Sequence, residues 1–228
     1  MYLPAHFEES RPEVLHALLR AHPLGLLVTQ DAAGALAANT VPFVLDVLDV
    51  PDLLDLPGVN SADPAGGPGI LRGHVARANP LWREARGDVD SLVVFQGPQA
   101  YISPSMYPSK AATGKVVPTW NYVMVQARGR LHAVEDAEWL RGFVTRLTDR
   151  HEASRPVPWA VTDAPADYID TMLHAIVGIE IVLTALTGKW KASQNRSAAD
   201  RHGVAHGLRA QGHADAEELA GRIERAAG

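Results

Sequence analysis

From Tyr122 to Ala133 the chain changes polarity residue by residue. Val123, Val125, Ala127, Gly129, Leu131 and Ala133 fall on one side, and Gln126, Arg128, Arg130 and His132 on the other. A repeat of two is that of an extended chain with one buried and one wet face. The stretch is therefore read as a long, half-buried strand.

The neighbouring segments extend that reading. Gly25–Gln30 and Leu36–Leu45 are read as strands, with Asp31-Ala32-Ala33-Gly34 as the turn of a hairpin. Pro42 removes an amide donor, which places it at an edge, a bulge or a point where a ligand meets the backbone. Ile70–Arg77, Leu92–Phe95, Ala100–Ile102 and Gly178–Thr187 are further strands. Ser103–Pro118 reads as a loop, and 46–69, with its Pro and Gly pairs, as a long excursion between strands.

Helices punctuate the strands without alternating with them. Ser10 and Glu13 fit a capping box ahead of Val14, Leu15, Leu18 and Leu19, and His22-Pro23 ends that helix. Asn79 caps a short helix, Asp136 one that runs to about His151, another follows Pro165, and the tail from Ala198 is helical and polar. About six or seven strands joined mostly by hairpins exclude a doubly wound parallel sheet. The expected class is mainly β with peripheral helices (α+β), as an antiparallel barrel. The barrel is placed at residues 1–187, and 188–228 forms a basic segment and a helical tail packed on it.

Composition narrows the chemistry. The 228 residues include no cysteine, which excludes disulfides, thiolate nucleophiles and Cys-held metal centres. No apolar run reaches the roughly 20 residues of a membrane span, and Met1–Ser10 shows no signal-peptide pattern. The expected location is the cytoplasm. A net charge of −5 speaks against a phosphate-gripping nucleic-acid binder. Nucleotide-loop and Gly-x-Ser-x-Gly patterns do not occur. His202 and His206 have helical spacing but no HExxH partner.

Four segments are polar beyond what their positions require: Asn39-Thr40-Val41-Pro42, Gly73 to Pro80, Pro118 to Tyr122, and Gly188 to Arg196. In the second, Arg77 offers a planar fork suited to phosphate, with Asn79 near a helix start; the plain alternative is a surface Arg beside a cap. In the third, Trp120 can lie on a planar ring while Asn121 bonds its edge, or Trp120 is a half-buried surface residue. In the fourth, Lys189, Lys191, Gln194, Asn195 and Arg196 surround Trp190, either as an anion site or as a solvated linker.

In this order the segments resemble the PaiB-type FMN-binding negative transcriptional regulators, a branch of the split-barrel flavoproteins. The resemblance rests on Met1-Tyr2-Leu3-Pro4 with Phe7, Gly73–Pro80, Phe95–Ser105, Val117–Tyr122, Val177–Ile181 and Lys189–Arg196. It implies a split β-barrel related to pyridoxamine-phosphate oxidases and flavin reductases, and a homodimer with FMN at the subunit interface. Asn39, Thr40, Val41 and Pro42 would pass along the isoalloxazine. His74, Val75, Ala76, Arg77 and Asn79 would hold the ribityl phosphate. Trp120 and Asn121 would come from the partner subunit, and Lys191, Gln194, Asn195 and Arg196 would close over the site. Asn39 stands where a His is familiar, and Met106 where an aromatic is commoner. The implied function is a flavin-dependent sensor or regulator. The alternatives are an FMN-dependent oxidoreductase, in which His74 is the nearest candidate base, and a repressor contacting DNA through Lys189, Lys191 and Arg196.

Overall fold

The computed structural model describes residues 1–47 and 69–225. The strands are β1 (Glu8–Glu9), β2 (Leu24–Gln30), β3 (Leu36–Pro42), β4 (Val44–Asp46), β5 (Ile70–Ala76), β6 (Ser91–Ile102), β7 (Thr119–Val134) and β8 (Ile176–Lys191). The helices are α1 (Pro12–Ala21), α2 (Leu81–Glu84), α3 (Ser109–Thr113), α4 (Ala137–Glu152), α5 (Ala166–His174), α6 (Ala198–Arg209) and α7 (Ala214–Arg225). The strands form one sheet in the order β3-β2-β6-β7-β8-β5-β4, with β1 on β8. The pairings of β2 with β3 and β6, of β5 with β4 and β8, and of β1 with β8 are antiparallel. The class is mainly β with peripheral helices. Among the described residues no helix is long and apolar enough to cross a membrane. The predicted excursion over 46–69 lies, apart from its ends, outside the described residues.

The residues divide into two units, and β6, β7 and β8 contribute a segment to each. One unit comprises Leu19–Val94 and Ala127–Leu186. Its core holds Leu27, Val41, Phe43, Leu71, Val93, Ile179 and Ile181. A satellite cluster of Leu140, Val161, Ile169 and Leu173 packs α4 and α5. Two glycines set close approaches here. A Cβ on Gly73 would lie 2.9 Å from Val41 and 3.2 Å from Phe43, so its bareness lets the end of β3 reach β5. A Cβ on Gly129 would lie 2.2 Å from the Val182 carbonyl oxygen of β8.

The other unit comprises Met1–Leu18, Phe95–Gln126 and Thr187–Gly228. Leu15, Leu18, Phe95, Ile102, Val123 and Val125 are buried in it. The apolar residues of the C-terminal helices, Val204, Leu208, Leu219 and Ile223, are buried too.

Several boundaries differ from the sequence reading. Pro12, not Ser10, borders the first turn: it takes the first helical position, where its missing N–H costs nothing, and Glu9 Oε1 accepts from Arg11 N at 3.0 Å. Leu92–Phe95 and Ala100–Ile102 are one strand, because Gly97 lets Leu18 approach and Pro98 lies past the register with β2, which ends at Val94. The loop after β6 holds a 3-10 turn and α3, anchored by Asp200, which accepts from Ser109 N at 3.0 Å and Ser109 Oγ at 2.9 Å. The last strand runs on to Lys191, carrying Lys189, Trp190 and Lys191 into the sheet. Pro42 closes β3, a strand at the end of the sheet order, as its lost donor requires.

Candidate functional site

The fifteen predicted residues sort into two groups, one in each unit. In the first, Asn39 of β3 meets Asn79, whose Nδ2 donates to Asn39 Oδ1 at 2.9 Å. Asn79 Oδ1 also accepts from Leu81 N, the first residue of α2, at 3.0 Å, although Pro80 and not Asn79 takes the N-cap position. Thr40 is exposed, Pro42 half-buried, and Val41 and Val75 point into the core.

Arg77 is held by its own unit. Its Nε donates to the His174 carbonyl at 2.8 Å, one terminal nitrogen to Glu135 at 2.5 Å, and the other to the Ile176 carbonyl at 3.2 Å. Trp82 Nε1 donates to the Arg77 carbonyl at 3.1 Å, and the Arg77 and Arg83 guanidinium carbons lie 5.8 and 4.2 Å from the Trp82 ring centre. The fork that looked poised for phosphate spends three of its five N–H groups on protein oxygens.

His74 turns away from this pair. Its ring lies edge-on to Phe143 of α4, centroids 5.8 Å apart. Its Nδ1 is buried with no hydrogen-bond partner among the described residues. Burial pushes the imidazole below its usual pKa, so it is neutral at pH 7.

In the second group, Trp120 is 53% exposed and meets Tyr101 edge-on at 6.1 Å. Asn121, next in β7, takes the buried register, and its Nδ2 donates to Ser193 Oγ at 2.8 Å. Ser193 has φ 62°, the left-handed region a non-glycine residue rarely occupies. The Gln194 side chain folds back, accepting from Ala192 N at 2.7 Å and donating to the Trp190 carbonyl. Asn195 is exposed, and the Arg196 guanidinium sits 5.0 Å from the ring centre of Tyr107, whose hydroxyl is driven to a higher pKa by burial. Lys191 Nζ donates to Thr119 Oγ1 at 2.7 Å.

The predicted set omits three participants: Lys189, Tyr2 and Ser193. Lys189 Nζ donates to the Tyr2 carbonyl at 2.9 Å and lies 5.5 Å from the ring centre of Tyr122. Its spacing of two from Lys191 was the available signal, once β8 is known to continue that far.

The residues suit a phosphorylated planar ligand. Lys189, Lys191 and Arg196 make no salt bridge among the described residues. An exposed indole, Trp120, stands beside an ordered amide, Asn121. Such a donor set answers an anion, a flat ring and a ring edge.

Solved structures share the fold. The flavocytochrome Anf3 of Azotobacter vinelandii superposes with a TM-score of 0.53 at 13% identity, over 83% of this chain and 72% of its own. The FAD and heme binding protein of Mycobacterium smegmatis gives 0.53 at 15% identity, over 81% and 73%. The fold is that of the split-barrel flavoproteins.

Sequence similarity places the chain more narrowly. Residues 1–185 match the FMN_bind_2 family, described as "Putative FMN-binding domain". The uncharacterized protein AFUA_5G13800 of Aspergillus fumigatus is 35% identical over 243 residues, covering 91% of this chain and 90% of its own. The protease synthase and sporulation protein PAI 2 of Bacillus subtilis is 29% identical over 224 residues, covering 98% and 97%. The chain belongs to this FMN-binding family, and FMN is its cofactor.

Proposed function

We propose that the protein is a cytoplasmic, homodimeric FMN-binding regulator of the PaiB type, which signals through the state of its flavin. The observation that carries this reading is the sorting of the site residues into two groups, each locked by its own hydrogen bonds: Asn39 with Asn79, and Asn121 with Ser193. Sites shared by two subunits of a dimer draw complementary groups from each chain. Asn39 to Pro42 lie along the flavin ring, and Asn79 with the segment from His74 to Arg77 flanks the ribityl phosphate. Trp120 and Asn121 of the partner cover the ring, and Lys191 and Gln194 to Arg196 close over it. FMN supplies one- and two-electron chemistry when bound. The chain's residues bind it, orient it and shield it from water.

A second reading, an FMN-dependent oxidoreductase, is favoured by one observation: burial keeps His74 neutral, and its Nδ1 has no hydrogen-bond partner among the described residues.

The deciding experiment starts with the absorbance spectrum and melting temperature of the purified protein with saturating FMN. Binding predicts a flavin band and a raised Tm; a colourless protein with an unchanged Tm refutes the cofactor site. Steady NAD(P)H oxidation by the yellow protein would move the conclusion to the oxidoreductase. A salt-dependent gel shift would move it to direct DNA contact.

A further inference from the structure

Lys189 and Lys191 stand two apart on β8, so both side chains leave the same face of the sheet. Trp190 between them points the other way, its ring centre 5.9 Å from the Arg222 guanidinium. On the lysine face, the ring centre of Tyr122 lies 5.5 Å from Lys189 Nζ and 5.9 Å from Lys191 Nζ. Tyr2 covers Lys189, with its carbonyl at 2.9 Å and its ring centre at 5.6 Å.

Lys189 is only 8% exposed. Each ammonium carries three N–H donors and spends one on a neutral oxygen, of Tyr2 for Lys189 and of Thr119 for Lys191. Neither has a carboxylate within salt-bridge distance among the described residues. Glu8 is the register partner of Lys189 on β1 and therefore shares its face, yet its exposed side chain forms no bridge to it. A buried cation without a counter-ion is costly, and a second cation beside it adds repulsion. Facing tyrosine rings offset part of that cost. An oxyanion held between the two ammonium groups removes both costs at once. An ammonium group binds a phosphate as a compact point charge with three donors, without needing the bidentate geometry of an arginine fork.

We infer that Lys189, Lys191, Tyr2 and Tyr122 form a binding site for an oxyanion of the phosphate class. Its source is either the phosphate of the flavin, in which case the inference rests on the reading above and adds the lysine pair to the groups around that phosphate, or the phosphate of a second ligand.

The test uses the full chain as wild type, Lys189→Met, Lys191→Met and Glu8→Gln. Inorganic pyrophosphate is titrated by thermal shift, and FMN and riboflavin by flavin fluorescence. Pyrophosphate should raise the Tm of the wild type and of Glu8→Gln, and have no effect on either lysine variant. A tenfold or larger loss of FMN affinity in the lysine variants, with riboflavin unchanged, identifies the flavin's phosphate as the source. Unchanged FMN affinity with the pyrophosphate effect lost identifies a second ligand. The inference is overturned if pyrophosphate does not stabilise the wild type and both lysine variants bind FMN normally. It is also overturned if Glu8→Gln destabilises the protein as much as Lys189→Met does, since Glu8 would then be the counter-ion. A wild type that ignores FMN defeats the functional reading alone, because the pyrophosphate titration still decides this one.

Discussion

Replacing glycine by alanine removes freedom from the unfolded chain and, where space allows, stabilises a protein by about 0.4–1 kcal/mol. Gly129 and Gly142 should answer that substitution with opposite signs. A Cβ on Gly142, in the exposed part of α4, meets nothing within 4 Å, and alanine is the better helix former. Gly142→Ala should therefore stabilise by about 0.5–1 kcal/mol. A Cβ on Gly129 would lie 2.2 Å from the Val182 oxygen, 2.8 Å from its carbonyl carbon and 2.9 Å from Ile181 Cγ2. Carbon contacts settle near 3.5–4.0 Å, so the overlap exceeds about 1 Å, and its nearest partner is backbone that no rotamer change can move. Overpacking typically costs 1–3 kcal/mol, and forcing a strand aside belongs at or above the top of that range. After the entropic gain, Gly129→Ala should destabilise by about 2–4 kcal/mol. In a chain of this size 1 kcal/mol moves Tm by roughly 2–4 °C. Thermal unfolding without flavin, at one protein concentration, should show Gly129→Ala melting about 5–15 °C lower and Gly142→Ala slightly higher. A Gly129→Ala protein as stable as wild type would refute the packing of β7 on β8 described above.

Three further outcomes are expected. Asn79→Ala loses both the Asn39 bond and the bond from Leu81 N and should cost about 1–2 kcal/mol in urea unfolding, while Asn79→Asp keeps the latter and should cost less than half as much; equal costs would show that the Asn39 contact dominates. Because burial favours neutral His74, its contribution to stability is complete above the usual value of about 6.5 and is lost as pH falls from there through the depressed folded value. His74→Phe should therefore flatten the dependence of Tm on pH below 6.5, and an unaltered slope would remove His74 as its origin. Burial works to raise the Asp200 pKa, but donation from Ser109 N and Oγ, with Ser197 and Arg196 nearby, holds it below the usual carboxylate value. Asp200 thus stabilises above that value, and the effect fades as pH falls through its folded pKa. In Ser109→Ala the folded value rises toward the usual one, so the acid-dependent loss should be smaller and complete at a higher pH, and coincident acid-unfolding curves would contradict the Ser109–Asp200 tie.

Local pattern was enough for much of the fold. The alternation through β7 assigned its buried register correctly from Val123 to Leu131, Gly129 included, and missed only at Ala133, which is exposed near the strand's end. Asp136 does cap α4, accepting from Trp139 N at 2.7 Å. Errors arose where a distant partner overrides a local signal. Gly97-Pro98 reads as a break until Leu18 is seen to need the bare glycine. Whether Lys189 and Lys191 belong to an anion site or a solvated linker stays open until β8 carries them into the sheet. Met106, an unusual residue for its place in the resemblance, packs where a Cβ on Gly207 would lie 2.7 Å from its Cγ. Its partner lies far along the chain, beyond the reach of any window of sequence.

The site divides in the same way. Residue chemistry alone named the segments, because amides, indoles and cations in strands are costly unless something uses them. It could not say which donors were already spent. Arg77 has the ideal fork for a phosphate, yet His174, Ile176 and Glu135 hold it, while the less conspicuous Lys189 is buried with no counter-ion among the described residues. The sequence determines which groups are present and on which face of a strand each falls, since period and propensity are local. Only the tertiary structure decides which charges are satisfied, because their partners come from strands and helices remote in the chain.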